Sequence, residues 1–156
     1  MKKINLALIA ASLLFSCTEN PGTKSGATTL PVEGTWHLLN ATTITGKDST
    51  ITDYTRDQEM IKIINASHFA FFRHDLTHGK DTASKMYGSG GGRYTVNGDK
   101  YTEYLDYCDD RQWEGHQFDF TVTISGDTLL QRGVEKLENL GIDRFIIEKY
   151  VRVKTK

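Results

Sequence analysis

Residues 118–124, Phe-Asp-Phe-Thr-Val-Thr-Ile, alternate apolar and polar side chains without a break and end in Ser125-Gly126-Asp127. A period of two places Phe118, Phe120, Val122 and Ile124 on one face, which suits a half-buried strand and not a helix. Similar short runs recur along the chain. They include Trp36 to Thr42, then Met60-Ile61-Lys62-Ile63-Ile64 and His68-Phe69-Ala70-Phe71-Phe72-Arg73 across an Asn65-Ala66-Ser67 turn. Residues 93–96 and 100–105 flank Asn97-Gly98, the strongest short hairpin signal, and residues 128–131 and 144–153 complete the series. About eight strands in sequential hairpins predict an all-β, up-and-down antiparallel barrel, because closure removes exposed edges; a β-sandwich is the alternative. Helical pattern is confined to one turn at residues 55–60 and another at 134–140, with Gly141 as its stop. The run Gly88-Ser89-Gly90-Gly91-Gly92 lacks the following helix that a phosphate loop needs, and reads instead as a bend or bulge in a strand.

The N-terminus carries a different signal. Lys2 and Lys3 precede roughly twelve mostly apolar residues, too few to span a bilayer as a helix but suited to a secretion signal. Leu14-Phe15-Ser16-Cys17 resembles the lipobox of bacterial lipoproteins, which implies cleavage after residue 16 and acylation of Cys17. Two or three acyl chains on one residue suffice for stable anchoring. Thr18-Glu19, rather than an Asp, follows the cysteine, which leans toward the outer membrane over the inner. Residues 17–31 read as a flexible tether from the lipidated Cys17, and residues 32–154 as one domain. With Cys17 acylated, Cys108 has no partner, so neither a disulfide framework nor a cysteine-based zinc site is available. Past the signal, 17 basic side chains face 20 acidic ones without any basic run, which argues against nucleic acid as a partner.

Gly34-Thr35-Trp36, at the start of the first strand, resembles the Gly-x-Trp signature of lipocalins and related calycin barrels. The resemblance implies that Trp36 plugs the closed end of a barrel and that an arginine near the last strand packs across its ring. Arg152 suits that role, with Arg144 as second choice. Three stretches, residues 63–69, 90–95 and 97–103, make the domain similar to the lipocalin-like domains of small Bacteroidetes lipoproteins, whose function is poorly defined. Thr52-Asp53-Tyr54 spells a second lipocalin motif, but lies too early in the chain to correspond to it.

Candidate chemistry is sparse. His74 and His78 lie in a polar stretch without helical geometry, and His37, His68 and His116 are scattered, so no metal site is indicated. Cys108 beside Asp109 and Asp110 is a poor nucleophile, and Asp106, Asp109 and Asp110 lack the spacing of a calcium loop. No acid, base and nucleophile set can be named, so neither an enzyme nor a cofactor is indicated. Period two groups Tyr101, Glu103, Leu105 and Tyr107 on one face, and Phe69, Phe71 and Arg73 on another. The expected site is an interior pocket for a small hydrophobic or amphipathic ligand. Phe118, Phe120 and Tyr101 form its wall; Arg73 and Glu103, if inward, are orienting groups or a buried pair, and otherwise both lie outside or at the rim. The alternative is a side-chain-filled barrel that acts through its surface as an interaction or inhibitor module.

Overall fold

The structure is a computed structural model that describes residues 30–83 and 85–154. The signal sequence, Cys17 and nearly all of the tether therefore lie outside the described residues. Nine strands appear in chain order: β1 (Gly34–Thr45), β2 (Asp48–Asp53), β3 (Gln58–Ile64), β4 (His68–Asp75), β5 (Tyr87–Asn97), β6 (Lys100–Cys108), β7 (His116–Ser125), β8 (Thr128–Leu137) and β9 (Ile142–Arg152). All neighbours are antiparallel. The sheet closes because β1 pairs with β3 on one side and with β9 on the other. The result is an eight-stranded up-and-down barrel with β2 as one extra strand, as the alternation of short runs predicts.

Tight turns follow from glycine. The hairpins β1–β2, β5–β6 and β7–β8 each turn on a glycine with left-handed φ: Gly46 at 60°, Gly98 at 61° and Gly126 at 55°. Only a residue without Cβ takes that conformation cheaply. The glycine run serves curvature. Opposite Gly91 and Gly92 the β5–β6 register slips by one residue, which makes a bulge in β6. A Cβ on Gly90 would press into the Phe71 ring, and one on Gly92 would collide with the Tyr104 carbonyl.

Two expectations need correcting, and one strand was not anticipated. Residues 55–57 form no helical turn: Thr55 N–H and Oγ1–H both donate to Asp53 Oδ1, and β3 starts at Gln58. Residues 134–137 continue β8, and only Glu138–Leu140 forms a 3-10 turn, stopped by Gly141 at φ 64°. Strand β2 escapes sequence reading because its threonines and serine surround a single apolar residue, Ile51. That residue is 72% exposed, since β2 lies outside the closed barrel.

The barrel has two unlike ends. The β3–β4, β5–β6 and β7–β8 turns sit at the end where β1 begins, and the β1–β2 hairpin sits at the other. The opposite end carries the longer loops and two 3-10 turns, Arg111–Trp113 and Glu138–Leu140. Inward-facing Leu38, Phe69, Tyr101, Phe118, Phe120, Val122, Leu129 and Tyr150 fill the interior. Burying each large one contributes about 1.5–3 kcal/mol.

Candidate functional site

At the first end the chain builds a plug. Trp36 is fully buried, and its indole N–H donates to the Val32 carbonyl at 2.7 Å. The Arg152 guanidinium lies 4.0 Å from the centre of the Trp36 ring. Its Nη1 donates to the Glu33 carbonyl at 2.6 Å and its Nη2 to the Pro31 carbonyl at 2.9 Å. Trp36 and Arg152 are register partners on β1 and β9, so the stack crosses the seam that closes the barrel. Gly34, at φ 137°, leaves room for the same guanidinium. The other arginine considered for this role, Arg144, is at the far end, over the Trp113 ring.

Above the plug lies a charged layer. Lys62, 4% exposed, points inward between Met60 and Ile64, and its Nζ donates to Glu103 Oε1 at 2.7 Å and to Gln131 Oε1 at 3.1 Å. Burial opposes the Lys62 charge, but the Glu103 and Glu148 carboxylates outweigh it and hold the ammonium above the ordinary lysine value. Tyr150 Oη donates to Glu148 Oε2 at 2.8 Å. Burial pushes the Glu148 carboxyl up, against the opposing pull of Lys62. Burial likewise pushes up Glu135, whose carboxylate meets Arg144 at 2.6 Å. Glu103 is thus inward and ion-paired, but with Lys62. Arg73 faces the same side of β4 as Phe69, yet donates to Gln58 Oε1 at 2.8 Å and lies over the Tyr54 ring.

At the looped end a cavity of about 230 Å³ opens into the barrel. Phe71, Trp113, Phe118 and Phe120 supply its apolar wall. Trp113 leans against Phe118 with ring centres 5.8 Å apart, and Phe118 stacks on Phe120 at 6.5 Å. Glu103, Glu135 and Arg144 supply polar groups, and Asp109 and Asp110 also line it. The cavity brings together Phe118, Phe120 and Glu103. Tyr101 is packed below against Tyr94, with ring centres 5.3 Å apart. Neither Tyr101 nor Arg73 lines the cavity. Tyr107, grouped by period two with Tyr101, is instead 71% exposed, because the β6 bulge reverses the alternation beyond Leu105.

Lys62, Glu135, Arg144, Glu148 and Trp113 were not read as a site from sequence. Lys62 was hidden because both faces of β3 are apolar: Ile61 and Ile63 point outward while Met60 and Ile64 point inward. Trp113 sits on a 3-10 turn, where no periodicity marks it. Among the described residues no group of three His, Cys, Asp or Glu side chains is arranged to hold a metal ion. His74 instead meets Glu59 at 3.0 Å. Asp106 pairs with Arg93 on the outer wall, Asp109 accepts from Ser89 N–H, and Asp110 caps the 3-10 turn through Gln112 N–H. Burial pushes up the Cys108 thiol, which disfavours the thiolate that a nucleophile needs. No protein-family model matches the chain, and neither does any curated protein.

Proposed function

We propose that this chain is a lipid-anchored, lipocalin-like protein of the bacterial cell envelope that holds a small amphipathic molecule in the open mouth of its barrel. The observation that carries this reading is the cavity of about 230 Å³, with four aromatic rings and the polar side chains of Glu103, Glu135 and Arg144 in its lining. Ligand sites typically combine an apolar concavity with a few placed polar groups. The volume falls below the roughly 300 Å³ at the lower end of such sites, so the occupant is small, or is the end of a longer chain. Glycine-x-tryptophan at Gly34 and Trp36, with Arg152 stacked on the indole, supports the lipocalin-like assignment. Leu14-Phe15-Ser16-Cys17 supports the anchor, and Thr18-Glu19 favours the outer membrane.

Native mass spectrometry of the chain, purified from its host without organic solvent, tests the pocket. A non-covalent adduct that leaves on extraction is the expected result. A mass free of adduct, with no uptake from a lipid and metabolite mixture, would overturn it. For the anchor, fractionation of the wild type with membranes and release of Cys17→Ser is expected; equal partition of both would remove it.

A second reading draws on the outer wall. Phe72 is 41% exposed and Tyr107 71%, and both border an open trough over Gly90, Gly91 and Gly92. Such exposed aromatics suit a protein-interaction module. A clean apo mass together with a stable complex in a pull-down that is lost in Tyr107→Ser would favour it.

A further inference from the structure

We infer that the mouth cavity selects a small organic cation, an ammonium on an apolar body, over a carboxylate or a neutral molecule of the same size. This inference rests on the ligand-binding reading above and adds the sign of the charge. Around the cavity stand four carboxylates, Glu103, Asp109, Asp110 and Glu135, against one lining cation, Arg144. Arg144 is already committed, to Glu135 at 2.6 Å and to the Trp113 face at 5.4 Å. The cation behind the wall, Lys62, is committed to Glu103 and Gln131. Among the described residues neither Asp109 nor Asp110 has a cationic partner; the nearby Arg111 pairs with Glu114.

An incoming carboxylate would therefore meet excess negative charge, and the cations that might receive it are already paired. An ammonium meets carboxylate oxygens at the rim and aromatic faces on the wall. Both attract a cation, the rings through their negative quadrupole faces. Phe118 and Phe120, each about nineteen-twentieths buried or more, would receive the apolar body.

The test is calorimetric titration of the purified chain with hexylamine, hexanoate and 1-hexanol, which share a body and differ in head group. Hexylamine is expected to bind at least about tenfold more tightly than either of the others at low ionic strength, with the advantage shrinking in salt. Glu135→Gln should remove most of that advantage, weakening hexylamine several-fold more than it weakens 1-hexanol. Should Glu135→Gln fail to fold, Asp110→Asn retains the cap on Gln112 N–H and is expected to weaken hexylamine about threefold. Equal or tighter binding of hexanoate or 1-hexanol would overturn the charge preference while the pocket itself stands. No binding by any of the three would overturn the pocket as well.

Discussion

At the scale of single residues, the energetics centre on Lys62. A charge buried to this degree is tolerated because Glu103 and Gln131 replace its hydration shell. Removing one partner strands the other. Lys62→Met should lower stability by about 3–5 kcal/mol, and the double variant Lys62→Met, Glu103→Leu should recover most of that, as buried ion pairs exchanged for apolar residues commonly do. Urea unfolding followed by tryptophan fluorescence measures both, and a double variant no better than the single one would contradict it. Glu148 adds a dependence on pH. Burial raises its pKa above the ordinary glutamate value, so the folded chain binds this proton more tightly than the unfolded chain does. Its contribution is then most favourable below the ordinary glutamate range, about pH 4, and declines as pH rises through the raised value. Stability relative to Glu148→Gln is expected to fall across that rise. Urea midpoints of the two proteins that run parallel in pH would exclude this role.

At the scale of elements, the glycines of β5 divide into those that shape the barrel and those that do not. A Cβ at Gly92 would collide with the Tyr104 carbonyl, a backbone atom that cannot yield without opening the bulge, whereas at Gly88 it would meet only ordinary contacts. Gly92→Ala is expected to destabilise by about 1–3 kcal/mol or more. Gly88→Ala should be neutral, or stabilising by up to about 1 kcal/mol through the unfolded chain. Thermal melts of the two variants decide it: equal losses would mean that the bulge is not set by this close approach. The same strands show what could be read beforehand. β7 was legible because from Phe118 onward its inward side chains are all apolar and its outward ones all polar. β3 was legible as a strand, but its inward lysine was not, because apolar residues on both faces erase the contrast that periodicity relies on. On β6, period two correctly grouped Glu103 with Tyr101 and Leu105 but wrongly added Tyr107, since a bulge depends on the partner strand's register and not on local pattern. The mouth cavity was legible only through Phe118, Phe120 and Glu103: Glu135 and Arg144 lie far from them in the chain and meet them only once the sheet has closed, and Trp113 sits on a 3-10 turn.

At the scale of the whole molecule, the barrel places its plug and its mouth cavity at opposite ends of its axis. The plug ties the first described segment to the last strand: Arg152 holds Trp36 and the carbonyls of Pro31 and Glu33, across the seam where β1 meets β9. The cavity lies at the other end, among the loops and 3-10 turns, where side chains can change without breaking the closure. Sites so separated, with no shared partners, are expected to act additively. Arg152→Ala loses the stack and two charge-assisted hydrogen bonds, worth together about 2–4 kcal/mol, and leaves the mouth untouched. Its melting temperature should drop by roughly 2–4 °C for each kcal/mol lost, while its affinity for 1-hexanol stays within about twofold of wild type. Trp113→Ala should do the reverse: it removes a half-buried ring from the mouth, weakens 1-hexanol about tenfold or more, and changes the melting temperature little. The decisive comparison is the pair of variants measured by calorimetry and thermal melting together. If Arg152→Ala weakened binding as much as Trp113→Ala, the two ends would be coupled through the charged layer between them. The barrel would then have to be treated as one cooperative unit rather than as a plug and a mouth.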